Sequence, residues 1–240
     1  LSRVLPPAAA YSHATSAVLL GAPVDRPPRP HVVLTPRRVL PQHAAFIVHA
    51  RRLTPEDVVE RDGLRLTSGP QTFLDLAAHL RPEDLVAVGD ALLRRGHLTV
   101  EGLAARLQRA DRVRGVVRAR ACAPLLSPHA MSRPESRIRY WLAVSDLPTP
   151  EAQLPIRDAW GREVAHVDLG YEKWRIALEY EGRQHADQDQ FGRDIDRYSL
   201  MAADGWLTLR FAARHVRGPQ LVVDRTRRTL LSRGWQPDAG

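Results

Sequence analysis

The stretch His166-Val-Asp-Leu-Gly-Tyr-Glu-Lys-Trp-Arg-Ile-Ala-Leu-Glu-Tyr-Glu-Gly-Arg-Gln-His185 holds Asp168, Glu179, Glu181 and His185 within eighteen residues. Residues 164–169 alternate loosely, as a strand does. Residues 174–180 put Trp174, Ile176 and Leu178 on one face and Arg175, Ala177 and Glu179 on the other. The turn-like Gly-Tyr-Glu-Lys between them predicts a hairpin. Asp168 then lies across from the latter half of the second strand and approaches Glu179. Two carboxylates that close repel each other unless a cation lies between them. Hard divalent ions such as Mg²⁺ take oxygen ligands of this kind. Glu181 alternates with Glu179 and shares its face, which favours a role at the same ion. Asp168 and Glu179 also fit the wet face of an ordinary hairpin. Gly182, His185 and the dense Asp194-Ile-Asp-Arg197 that follow point instead to chemistry.

Around this hairpin the second half reads as helix, three strands, helix, strand, helix. Ser132-Arg-Pro-Glu135 is a capping box, with Pro134 suited to the first turn. The helix it opens buries Ile138, Trp141 and Leu142. A strand is expected at 154–157 and a helix over 189–204, with Phe191, Ile195 and Tyr198 on one face. Asp194 and Arg197 are spaced to pair on that helix. A buried strand at 206–211 and a helix at 221–231 close the chain. A strand-helix-strand return gives a mixed sheet with helices on both faces, an α/β (α+β) fold.

The first half is less regular. Residues 1–20 read as helical, with an apolar stripe through Val18, Leu19 and Leu20, and Ser12 suits the cap of a helix beginning near His13. The Pro-rich residues 21–30 exclude regular helix. Short strands fit 31–35 and 45–49, Thr54 caps a turn at Pro55-Glu56-Asp57, and Asp62-Gly63 turns into the alternating 64–67. Amphipathic helices are expected at 72–80, 83–95 and 100–107, the last two joined through Gly96. That spacing is shared by a helix-turn-helix, with Arg106 and Arg109 as its DNA-facing candidates, and by a plain helical hairpin. His13 and Asp75 read either as capping and packing polar groups or as functional ones.

The second half resembles the PD-(D/E)xK nuclease superfamily. More closely it is similar to the branch related to very-short-patch mismatch repair endonucleases. The landmarks arrive in order over 132–234: Asp168, then Glu179-Tyr-Glu181-Gly182-x-x-His185, Asp194-Ile-Asp196-Arg197, Gly205-Trp206 and Leu209-Arg210-Phe211. Glu181 stands where the superfamily usually has Lys and the branch usually has Asp. Val167 replaces the Pro before the first Asp. The resemblance implies a restriction-endonuclease-like domain and metal-dependent hydrolysis of DNA, of a kind used in repair or defence. Asp168, Glu179 and Glu181 would hold Mg²⁺ or Mn²⁺, His185 would exchange protons, and Glu135 on the opening helix would assist. Arg193 or Arg197 would meet the phosphate.

The region before it is similar to the body of AbiEi-type antitoxins, through Ser12-His13-x-Thr15-x-x-x-Leu19, Asp62-Gly-Leu64-x-x-Thr67, Thr72-Phe-Leu-Asp-Leu-Ala77 and Asp90-x-x-x-Arg94-Arg-Gly96. Proteins of that kind usually carry a winged helix ahead of this region. A start at Leu1 rather than Met fits a truncated beginning. This second resemblance implies the competing function, a non-catalytic DNA-binding regulator with a degenerate nuclease domain.

The chain has 240 residues, 44% of them hydrophobic, which is room and material for two packed domains. The expected division is a smaller, mostly helical α+β domain at 1–110, a basic linker at 111–131 and the nuclease-like domain at 132–240. Net charge is +8; residues 1–131 carry 18 basic and 11 acidic groups, and 132–240 carry 17 and 16. The excess in the first half suits a polyanion. Its densest part runs from Arg106 through Arg112, Arg114 and Arg118 to Arg120 against one acid, Asp111, and fits either a phosphate backbone or solvent. The sole cysteine, Cys122, excludes an internal disulfide and reads as a small buried group. No apolar run approaches a membrane span and no signal segment opens the chain, so a soluble, cytoplasmic protein is expected.

Overall fold

The computed structural model describes residue 6 and residues 8–36, 44–158, 160–182 and 188–237, with side chains at 188–194 undescribed. The chain forms two compact units, Leu1–Pro128 and His129–Gly240. Among the described residues no helix is long and apolar enough to cross a membrane.

The first unit carries a sheet of order β3-β2-β1-β5-β4: β1 (Ala10–Tyr11), β2 (His31–Leu34), β3 (Ile47–Ala50), β4 (Val58–Arg61) and β5 (Leu64–Thr67). Helix α1 (His13–Leu19) leaves β1 directly. The helices α2 (Gly69–Leu76), α3 (Pro82–Arg94), α4 (Val100–Gln108) and α5 (Val116–Cys122) follow. Phe73, Leu74, Leu85, Val88, Leu92 and Leu103 are fully buried among them. With 128 residues this unit is not the smaller one; among the described residues its five helices outweigh its short strands, each of which pairs with a neighbour, so it is a mostly helical α+β unit.

The expected linker is largely structure of this unit. Val116, Ala119 and Cys122 are buried, and burial pushes the Cys122 thiol up to about 11, so it is inert. Arg118 donates to the carbonyls of Ala77 (2.9 Å) and Leu80 (2.7 Å), just beyond α2, while Arg120 donates to those of Leu107 and Ala110. Arg112 and Arg114 remain exposed. Arg106 of α4 is buried and donates to Gln71 (2.7 Å), with Asp57 at 3.2 Å, while Arg109, exposed just past α4, donates to Asp57 at 3.0 Å. Both cations are paired with Asp57, and α4 packs on α2 and α5.

The second unit is built on a sheet of order β6-β7-β8-β9: β6 (Glu151–Arg157), β7 (Glu163–Tyr171), β8 (Ile176–Glu181) and β9 (Leu207–Ala212). Pairs β6–β7 and β7–β8 are antiparallel and β8–β9 is parallel, so the sheet is mixed. Helix α7 (Gln188–Ala203) makes the crossover that a parallel pair needs. Ile138, Trp141 and Leu142 of α6 (Arg133–Ala143) and Val222 and Leu230 of α8 (Pro219–Ser232) pack on one face with Leu169, Tyr171, Ile176 and Leu178. Met201 and Tyr198 of α7 pack on the other with Leu154, Ile156, Val167 and Ala177. Helices therefore cover both faces. The inward line of α7 differs from the expected one: Ile195 is 50% exposed and Met201 is fully buried, because a helix presents i and i+3 together, here Tyr198 and Met201.

The hairpin turns through Glu172–Trp174 and Arg175, whose φ of +50° reverses the chain. Gly115 tests the status of α5. Its φ is +87°, and a Cβ there would lie 2.5 Å from the backbone nitrogen of Ala78. Gly115→Ala is expected to destabilise the first unit by about 2 kcal/mol or more in urea melts; an unchanged midpoint would return 111–128 to the status of a linker.

Candidate active site

Asp168 and Glu179 meet as the hairpin predicts. Pairing of Leu169 with Leu178 and Gly170 with Ala177 extends to Asp168 opposite Glu179. The backbone N–H of Tyr180 donates to an Asp168 carboxylate oxygen at 3.0 Å. Asp168 also sits where β7 changes its packing. Ala165 and Val167 belong to the α7 side, yet Leu169 and Tyr171, with the same parity, belong to the α6–α8 side. The change falls between the pairs Leu154–Val167 and Ala152–Leu169, beside Gln153, whose φ is +53°. A side chain at such a twist is set in the seam between layers rather than on a solvated face.

Burial pushes the Asp168 carboxyl up to about 6, and the charges of Glu135 and Glu179 push the same way, against the Tyr180 N–H and Arg197. Glu135 is buried; its carboxylate accepts from the Met131 N–H at 2.8 Å, and its own N–H donates to Ser132 Oγ at 3.3 Å. Ser132 thus caps α6, and Glu135 reaches back one residue beyond the expected partner, to the Met131 N–H, where its charge acts on Asp168.

Glu179 is buried and points to α7. Arg197 donates to it from both terminal nitrogens, at 2.6 and 3.3 Å, and the Tyr198 hydroxyl donates to it as well. Arg197 is thus in the site, held by a carboxylate. Glu181 lies two residues on along the same face and pairs with Arg210 of β9, its register neighbour but for two positions. Both guanidinium groups lie against the Tyr198 ring, at 4.6 Å for Arg197 and 4.7 Å for Arg210. Tyr198 and Arg210 were not singled out by the sequence, although Arg210 lies within the Leu209-Arg210-Phe211 landmark. His185 lies outside the described residues, and Arg193 lies on α7 with its side chain undescribed.

The donor set of Asp168, Glu179 and Glu135 is all oxygen, partly desolvated and mutually repulsive. Oxygen donors are of the type a hard divalent ion takes, but Glu179 is paired with Arg197, and among the described residues these three acids do not converge as a group of ligand atoms. Glu181, paired at the surface with Arg210, fits an outer position better than a ligand's.

A second group converges in the first unit. His13, His31 and His49 each offer a ring nitrogen, all within 4.8 Å of one another. Of these only His13 carried a sequence signal. His31 and His49 lie 18 and 36 residues away on strands whose pairing brings them beside it, so spacing gives no warning.

No family model, curated protein or solved structure matches the chain.

The seam position of Asp168 has a stability signature. A carboxyl raised in the folded state keeps its proton where the unfolded chain has lost it. Its contribution is therefore favourable at low pH and is lost as pH rises from about 4 through about 6. Asp168→Asn, which keeps an acceptor for Tyr180, is expected to stabilise the protein above pH 7 by about 1–2 kcal/mol after allowance for partial exposure. The gain should vanish near pH 4, as read from thermal melts across that range; a gain independent of pH would show that Asp168 is not desolvated.

Proposed function

We propose that the second unit is a metal-dependent endonuclease that hydrolyses DNA phosphodiester bonds. The observation that carries this reading is the seating of Asp168 in a seam beside Glu179 and Glu135, with its carboxyl pushed up to about 6. Three acids so placed weaken the fold unless a cation joins them, and a charge arrangement of that cost marks functional sites.

Asp168 and Glu179 are the residues that would hold Mg²⁺ or Mn²⁺, with Glu135 beside them. Such an ion neutralises charge developing on a phosphate and makes a water a better nucleophile. Arg197, held by Glu179, is oriented over the same ground and supplies a bidentate donor to a phosphate oxygen. Tyr198 fixes that orientation by bonding Glu179 and lying under the guanidinium. Arg210 keeps Glu181 from adding a further uncompensated charge. His185, four residues from the end of β8, is assigned the proton-exchanging role on the resemblance alone. The exposed Arg112 and Arg114 would bind the backbone of DNA in a salt-dependent way.

One observation favours a second reading. Glu179 is already satisfied by Arg197 and Tyr198, and Glu181 by Arg210. A network closed in this way also suits a DNA-binding regulator whose acids have become structural.

The test is cleavage of supercoiled and mismatch-containing DNA with Mg²⁺ and then Mn²⁺. Metal-dependent nicking is expected, reduced at least ~100-fold in Asp168→Ala and in Glu179→Gln, and less in Glu181→Gln. If the wild-type chain binds DNA without metal and cuts none of these substrates, the regulator takes its place.

A further inference from the structure

We propose that the first unit holds a divalent transition-metal ion, of the Zn²⁺ class, on His13, His31 and His49. This site is separate from the carboxylates of the second unit and does not rest on the nuclease reading.

Three elements build it. Tyr11 of β1 pairs with Val32 of β2, and the Ser12 N–H donates to the His31 carbonyl at 3.0 Å. The next residue, His13, therefore begins α1 beside His31. The Thr15 hydroxyl accepts from the His31 N–H at 2.8 Å, which fixes the same junction from the helix side. Parallel pairing of β2 with β3 sets Val33 against His49, so His31 and His49 are diagonal neighbours. Their rings stack with centroids 5.1 Å apart, and Nδ1 of His31 lies 2.9 Å from Nε2 of His49. The His13 ring stacks on that of His49 at 3.7 Å.

Imidazole nitrogen suits Zn²⁺ and its neighbours in the first transition row, and does not suit Mg²⁺. Metal–nitrogen bonds of about 2.0–2.1 Å in a tetrahedron put ligand nitrogens about 3.3 Å apart, so the His31–His49 contact must open by only a few tenths of an ångström. In that contact one proton is shared between two nitrogen lone pairs, and a metal ion takes the proton's place.

Two features around the rings suit ligation. Nδ1 of His13 lies 3.0 Å from Ser12 Oγ and 3.9 Å from the Asp75 carboxylate. Asp75 is buried and is itself held by Gln71 at 2.7 Å and Arg51 at 3.4 Å. The Ser12 hydroxyl is the hydrogen-bond partner that holds the Nδ1 edge of the ring, the kind of outer contact that orients a metal-bound imidazole, and the Asp75 carboxylate adds negative charge behind it. That arrangement leaves Nε2 of His13 as its donor. The other feature is the backbone of His13, whose φ is +51°. A non-glycine residue in that region persists where its surroundings over-determine it, and such positions gather at functional sites. Here the strain turns the ring back toward β2 and β3. Three nitrogen ligands leave a fourth position open.

The experiment uses the full chain, stripped with a chelator and titrated with Zn²⁺ and with Co²⁺. One ion per chain is expected, with the visible absorption of a tetrahedral Co²⁺ centre. Affinity should fall at least ~100-fold in His31→Ala and in His49→Ala. The double variant Asp168→Asn/Glu179→Gln should bind undiminished, which separates this site from the carboxylates. Folding of the histidine variants is checked by circular dichroism. Should either fail to fold, paramagnetic shifts by Co²⁺ of three imidazole ring signals in the wild-type chain give the same answer. No stoichiometric binding by the wild-type chain, equal binding by folded His49→Ala, or shifts confined to other residues would each overturn the proposal.

Discussion

Carboxylates in neighbouring strands cannot lie side by side at the edge of a core without something to offset their repulsion. That constraint governs the second unit. The antiparallel register of β7 and β8 forces Asp168 opposite Glu179. The first turn of α6, with Glu135 accepting from the Met131 N–H, brings that carboxylate to the same seam. The protein answers with cations and N–H groups aimed at these acids: the Tyr180 amide on Asp168, Arg197 and Tyr198 on Glu179, Arg210 on Glu181. Asp168 is the one left most poorly compensated, as its raised carboxyl records.

The parallel pairing of β8 with β9 makes this possible. It obliges α7 to cross one face of the sheet, and that helix delivers Arg197 and Tyr198 while burying Met201 against Ala177. Apolar packing and site assembly are thus the same event. Phe211 and Met201, both fully buried, anchor the strand and the helix whose spacing sets the distance from Arg197 to Glu179.

The first unit solves a different problem with other residues. Its short strands bury little by themselves, so helices α2 to α5 supply most of the core, and arginines tie the pieces together by capping carbonyls or pairing with Asp57. The basic excess there is therefore only partly a surface property. Arg106, Arg109, Arg118 and Arg120 are engaged internally, while Arg112, beside Asp111, and Arg114 are exposed. The histidine group sits where β1 passes into α1, a junction that the strand pairing makes rigid.

Periodicity and turn chemistry by themselves determined the hairpin, the cap at Ser132 and the approach of Asp168 to Glu179, because each depends on residues close in sequence, and the order of strands and helices gave the mixed sheet with helices on both faces. They also determined most helices of the first unit to within a few residues. What only the tertiary structure decided were the partners of charges. An arginine's sequence context does not say whether it will face solvent or a buried aspartate, so Arg106 was legible as a cation but not as a buried one. The place of α5 in the first unit, the change of layer at Asp168, and the pairing of Glu179 with Arg197 arise from contacts across the sheet. The meeting of His13, His31 and His49 arises the same way, since strand pairing joins residues that chain distance keeps apart.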